Sequence, residues 1–356
     1  MDDAEINDIR TQEEFKTVSF SKFQKTKVKK ALLKGFSDGK VETACYWSAE
    51  LVCAGHFVEL WEAIIYFVSK HLHIGNPLLP TYITRRIDAF RKIMSNGHVG
   101  NELCLRNNNN IRKLFAEIIA TLCLSRKHHV FEAVKVTRPD DFNMTQISQK
   151  LKAPNISYSK DIFLEGDPTE LLVAINEFMY HISVDSKNSF SASYWLEWIL
   201  EYETGCKQRK ENIEIERREW APVDLKYQKD IIWLVWGAII KQTEIKKCKI
   251  TKNIVDSLLG MFTIRFTCGV RKRRRFLIYN AITLLTNTVD YRIPIWSNKQ
   301  TVASVVNKID VIYKQIKKNE IPHDINNAMI DVKKTNLDRT IERIEMMNIA
   351  LDKKRI

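Results

Sequence analysis

The stretch VETACYWSAELVCAGHFVELWEAIIYFVSKHLHI, residues 41–74, narrows the possible folds more than any other part of the chain. In its second half Phe57, Leu60, Trp61, Ile64, Ile65, Val68 and Leu72 recur at the three- and four-residue spacing of one helical face. Glu59, Glu62, Tyr66, Ser69 and Lys70 fall on the other side. The pattern predicts two helices folded back on each other at Ala54-Gly55. The second would be a rod of roughly 30 Å over residues 55–74, stopped by Gly75-Asn76-Pro77 because proline lacks an amide proton and restricts its predecessor. So apolar a hairpin needs other helices to cover it.

Composition agrees with a helical body. A hydrophobic fraction of 45% excludes wholesale disorder, and only 11 Gly and 8 Pro in 356 residues favour long helices over a turn-rich β fold. The expected fold class is all-α: a multi-helix bundle of ten or more helices, possible as two packed helical subdomains. Residues 1–17 read as an acidic tail and 18–126 as an N-terminal subdomain. Residues 127–166 read as an irregular connector, 167–320 as a C-terminal subdomain and 321–356 as a charged C-terminal helix. Seven cysteines without a C-x-x-C argue against a disulfide framework or zinc ribbon and point to a reducing compartment. The start, MDDAEINDIRTQEEF, does not read as a secretory signal. The longest apolar run, residues 231–240, is about half a bilayer span, so a soluble or peripheral chain without a transmembrane segment is expected.

Along the chain, residues 21–36 form a basic helix. A narrow apolar stripe of Phe23, Val28, Leu32 and Leu33 runs among Lys22, Lys25, Lys27, Lys29, Lys30 and Lys34. Pro80 opens a further helix closed by Asn96-Gly97, and the tract of residues 107–110 ends in the cap of the next. Residues 130–136 (VFEAVKV) alternate as a short strand would. Asp167 is placed to cap a helix with Pro168 at its first position. Helices follow at about 169–184, 191–212, 223–246, 251–267, 272–289, 299–319 and 336–355.

Three constellations bear on chemistry. His71 and His73 lie two residues apart, with His56, Cys45 and Cys53 nearby and His128-His129 further on. None has the i,i+3 or i,i+4 spacing that puts two ligands on one helical face, so no metal is expected. Glu50, Glu59 and Glu62 sit on apolar helices, where burial could raise a carboxyl pKa. Glu59 and Glu62 take the polar face, and Glu50 is placed to pair with Arg85 or Arg86. No nucleophile elbow, zincin, phosphate loop or dinucleotide fingerprint occurs, and a non-enzymatic chain without cofactor is expected. The balance of 56 Lys+Arg to 43 Asp+Glu gives +13, which favours a polyanionic partner. Arg271, Lys272, Arg273, Arg274 and Arg275 form its densest run, although five adjacent residues wrap around a helix and cannot share one groove. The run fits a phosphate-contacting cluster, a nuclear-import signal, a solvated face or a salt-bridged contact to a neighbouring protein. Tyr194, Trp195, Trp198, Trp233 and Trp236 read as core.

The segments ALLKGFSDGKVETACYWSAELVCAGHFVELWEAIIYFVSKHLHIGNPLLP and LRNNNNIRKLFAEIIATLCLSRKHHVFEAVKV resemble an uncharacterised helical family from large double-stranded DNA viruses of algae and protists. The resemblance spans about residues 31–136 and carries over no site residues. It implies a protein of the virion and of virus factories in the host cytoplasm. By analogy, its role is that of a minor capsid protein binding capsid or other viral proteins. The alternative is a basic accessory factor that binds nucleic acid during viral replication or transcription.

Overall fold

A computed structural model describes residues 4–97, 100–128, 134–136 and 141–321. They form an all-α multi-helix bundle, with thirteen α-helices and no strand among the described residues. The helices are α1 (Lys25–Asp38), α2 (Val41–Cys53), α3 (Phe57–Phe67), α4 (Leu79–Ser95), α5 (Asn109–Leu124), α6 (Met144–Lys150) and α7 (Leu172–Ile182). Then come α8 (Ser189–Gln208), α9 (Ile232–Lys246), α10 (Lys249–Thr263), α11 (Cys268–Thr286), α12 (Lys299–Asn307) and α13 (Ile309–Lys317). They sort into two compact units interleaved in sequence. Unit 1 takes the described parts of residues 1–67, 85–125 and 295–356; unit 2 takes those of 68–84 and 126–294. Residues 68–84 and 295–320 thus pack in the opposite unit from the one their sequence position suggests.

In unit 1, α2 packs against α1, α5 and α13, and α5 also receives α12. A Cβ at Gly35 would stand 3.1 Å from that of Ala44, so this glycine sets how closely α1 and α2 approach. Phe57 and Trp61 of α3, Phe90 of α4 and Phe115 of α5 form a four-ring cluster, with Trp61 and Phe115 centroids 5.3 Å apart and Phe57 and Phe90 also 5.3 Å. Residues 4–17 are no free tail, because Ala4, Ile6 and Phe15 are buried. Burying a side chain the size of Phe15 contributes about 2 kcal/mol, and side chains grip the backbone on either side. The Asn107 amide accepts from Ile6 N (2.9 Å) and donates to Ile6 O (2.8 Å). Arg112 donates to Ala4 O (2.9 Å), Arg106 O (2.7 Å) and Asp310 (3.3 Å), and its guanidinium lies 4.1 Å from the Tyr313 ring. Ile9 N reaches Ile321 O, and Ile321 N reaches the Asp8 carboxylate.

The rod expected over residues 55–74 is broken. Gly55, at φ +73°, makes the turn into α3, but the α-helix ends at Phe67 and continues as a π-helix over Val68–Leu72. A 3-10 turn, His73–Gly75, completes the segment. The wider π turn absorbs an extra residue without disturbing the apolar pattern, which is why periodicity misses it. Gly75 is obligatory for another reason: a Cβ there would lie 2.5 Å from Arg126 O.

In unit 2, α7 packs on α8 and α9, while α11 touches α8, α9, α10 and the π segment. Trp195, Trp233 and Trp236 are fully buried, and Tyr194 and Trp198 nearly so. Asp167 does not cap a helix. It is buried, accepts from Leu164 N (2.8 Å) and Glu216 N (2.9 Å), and pairs with Arg218. Pro168 instead leads a 3-10 turn, Thr169–Leu171, ahead of α7. Of the expected strand at 130–136, residues 130–133 lie outside the described residues and 134–136 have no regular structure. The expected helix at 336–355 also lies outside them.

Replacing Arg112 takes the guanidinium donor from Ala4 O and Arg106 O and the ion-pair partner from Asp310. Arg112→Met should lower stability by about 3 kcal/mol, the scale seen when one partner of a buried charged network is lost. Urea unfolding would measure it, and faster amide exchange at Ile6 would locate the loss at the docked segment.

Candidate functional site

The run 271–275 lies in the first turns of α11, whose N-cap Thr267 accepts from Val270 N (3.2 Å). At about 100° per residue, Arg271 and Arg274 fall on the same buried stripe as Leu277 and Ile278. Arg271 forms ion pairs with Glu203 of α8 and with Asp230 just before α9. Burial opposes its charge, yet Asp230 and Glu203 more than offset this and raise its pKa. Burial would likewise push Glu203 up, but Arg271 and Lys207 hold its carboxyl below the usual range. Arg274 donates to Phe262 O (3.0 Å) and to Ile264 O, closing the end of α10. Arg275 is half-buried and reaches Glu197 (3.3 Å). Lys272 and Arg273 alone among the five are exposed. The run is therefore not one surface: it is mainly an internal clamp joining α8, α10 and α11.

The carboxylates on apolar helices are also engaged internally. Glu50 is fully buried and pairs with neither Arg85 nor Arg86. It accepts from Ser19 Oγ (2.7 Å), Ser21 N (2.9 Å) and Ser21 Oγ, fixing the turn ahead of α1. Arg86 pairs instead with Glu117 (3.2 Å). Burial pushes the Glu50 pKa up, against the hydrogen bonds from Ser21, Ser19 and Tyr46. Glu59 binds Lys25 (2.7 Å); burial would raise it, but this contact keeps its pKa low.

The cysteines and histidines do not converge. Cys45 and Cys53 are buried in α2, and burial pushes both thiols up. His56 meets Val18 O at 2.8 Å. His73 is buried in the 3-10 turn at φ +44°, with no hydrogen-bond partner for either ring nitrogen. Burial first, then His128, drives its pKa well below the ordinary value and keeps it neutral. His129 lies outside the described residues. Among the described residues no group of three or more His, Cys, Asp or Glu is placed to hold a metal.

One constellation has no sequence signature. His181 Nδ1 is 2.9 Å from Ser186 Oγ, and its Nε2 is 3.4 Å from Glu177 Oε2, too poorly aligned for a hydrogen bond. An acid, an imidazole and a hydroxyl in that order could relay a proton. Here, however, Glu177 is committed to the backbone amides of Lys152 and Ala153 (2.9–3.0 Å), and Ser186 belongs to the turn that ends α7. The trio ties a loop and a helix end together. An open cleft of about 590 Å³ is lined by Glu219, Asp224, Gln228, Arg265 and Phe266, and its one hydroxyl, Thr263, donates to Gly260 O. No described helix is long and apolar enough to cross a membrane.

No family model, curated protein or solved structure matches the chain, so none of these comparisons bears on the viral resemblance.

Arg271→Met leaves Asp230 without its ion-pair partner and Glu203 with Lys207 alone, and should cost about 3 kcal/mol. The double substitution Lys272→Ala/Arg273→Ala, on the exposed side, should stay within about 0.5 kcal/mol; urea unfolding compares them. Glu50 gives a second expectation. Its raised pKa means the folded state binds the proton more tightly than the unfolded chain, so stability falls as pH climbs above about 4.3. In Glu50→Gln the amide oxygen can replace one carboxylate oxygen while the NH2 donates to Ser21. That variant should match or exceed wild-type stability at about pH 7, with its advantage shrinking towards pH 4.

Proposed function

We propose that this chain is a non-enzymatic structural protein that works by presenting surfaces to neighbouring proteins. In the setting the resemblance implies, it is a minor capsid or scaffold component of a large double-stranded DNA virus, found in the virion and the host-cell virus factory. The observation that carries the reading is a group of exposed apolar side chains around the end of α7. Ile156, Val184 and Phe190 are 67%, 62% and 62% exposed. They sit on two segments tied together by Tyr158 Oη donating to Asp185 (2.8 Å) and Asn176 Nδ2 donating to Asn155 O (2.8 Å). Rigidly held apolar residues of this size in water suit a protein contact. The buried carboxylates and arginines described above support the same reading, because Glu50, Glu177, Glu203, Arg271 and Arg274 are spent on holding helices and loops.

The chain should be recovered from purified, nuclease-treated particles at a fixed ratio to the major shell protein, and absence there overturns the virion reading. Ile156→Ser/Val184→Ser/Phe190→Ser should leave the folded chain intact, since exposed positions shift stability by at most about 0.5 kcal/mol each. It should also deplete the protein from particles. Undiminished incorporation would remove this surface from the contact.

A further inference from the structure

We infer that the outer face of α1 is a docking surface for the phosphate backbone of duplex nucleic acid. Between Glu14 and Asp38 the chain carries seven lysines (Lys16, Lys22, Lys25, Lys27, Lys29, Lys30, Lys34) and no carboxylate. Only Lys25 forms an ion pair, with Glu59; Lys16, Lys22, Lys27, Lys30 and Lys34 are exposed, and none of these has an acidic partner among the described residues. Lys27, Lys30 and Lys34 lie within a sector of roughly 60° and span about 10 Å of helix axis. Over that length one strand of B-form duplex presents about three phosphates, at 3.4 Å of axial rise each. The opposite face is fixed: Val28, Leu32, Gly35 and Phe36 are buried against the body of unit 1, so the lysine face is held outward.

The surroundings favour a duplex backbone over other anions. No large apolar side chain of α1 is exposed, so this helix has nothing to insert below a lipid headgroup layer. Its own aromatic, Phe36, is buried, and Phe23 just ahead of it is half-buried and packed edge-on against Trp47 at 5.3 Å, which leaves no open ring on the helix for unpaired bases to stack on. What remains is a row of flexible, strongly hydrated point charges, suited to phosphates and indifferent to sequence. This surface is distinct from the apolar group at α7 and from residues 271–275.

The test is a titration of the full chain against a fluorescent 30-base-pair DNA duplex at several salt concentrations, alongside vesicles containing phosphatidylserine. The variant is Lys27→Glu/Lys30→Glu/Lys34→Glu, with Lys27→Gln/Lys30→Gln/Lys34→Gln as a gentler second. The charge-matched control is Lys160→Glu/Lys272→Glu/Arg273→Glu, all exposed in unit 2. Each phosphate contact adds about 0.9 to the slope of log affinity against log salt, so both α1 variants should lower that slope by about 2.7. They should also weaken binding at least tenfold at low salt, while the control keeps the wild-type slope. The inference is overturned if wild type fails to bind the duplex at low salt, or binds vesicles but not duplex. It is equally overturned if the control loses as much slope as the α1 variants.

Discussion

The guanidinium taken out of water is the interaction on which this structure depends. Among the described residues five arginines are buried, Arg10, Arg112, Arg218, Arg271 and Arg274, and no lysine is. A planar group with five donors in fixed directions can satisfy more acceptors at once, and in a more fixed geometry, than an ammonium with three donors on a flexible stem. Arg10, Arg112 and Arg218 serve segments that lack regular structure of their own, while Arg271 and Arg274 tie helices together. Arg10 lies within 5 Å of the Phe15 and Phe20 rings while binding Asp8 and Phe20 O. Arg218 binds Asp167, Glu216 O and Ile162 O (3.1 Å) and so closes the loop before α7. Helices can be packed by apolar stripes, but their connections need donors brought into the interior, and arginine brings them.

That division explains which parts of the fold could be read from the residues. The long helices were legible: α10 by its three- and four-residue pattern, and α8, α9 and α11 as long, largely apolar stretches. The docked first segment was not. MDDAEINDIRTQEEF is polar by composition, and its described part is held at Ala4 and Ile6 by Arg112 and Asn107, about a hundred residues away. Local pattern carries no information about such partners. The π turn at Val68–Leu72 escaped for a different reason, since one surplus residue leaves an apolar face looking continuous. The chain crosses between the two units at that π turn, within α4, after α5 and ahead of α12, and none of these crossings has a local signature.

The candidate surfaces show the same contrast. Adjacency in sequence drew attention to residues 271–275, yet helical geometry sends adjacent residues to different faces, and the core selected Arg271 and Arg274 from among them. Residues spaced along one face are the better guide to a surface. In α1 the spacing of Val28, Leu32 and Phe36 fixes which side is buried, and the lysines that remain are placed outward by elimination. That much was already present in the alternation of residues 21–36. Only the absence, among the described residues, of carboxylates paired with those lysines comes from the three-dimensional structure.

Net charge therefore says less about this chain than the partition of its cations. An arginine that binds two carboxylates and a lysine that faces water count equally towards +13, but only the second is available to a partner. The Arg271 guanidinium cannot be recruited to an external phosphate without leaving Asp230 unpaired and Glu203 with Lys207 alone. The loss of several kcal/mol would exceed the worth of one solvent-exposed phosphate contact. The excess that can act at a distance is the excess left on the surface, and in α1 it is concentrated on one rigid helix. A fold that buries five arginines and, among the described residues, no lysine has separated some of the charges that hold it together from those that can meet something else.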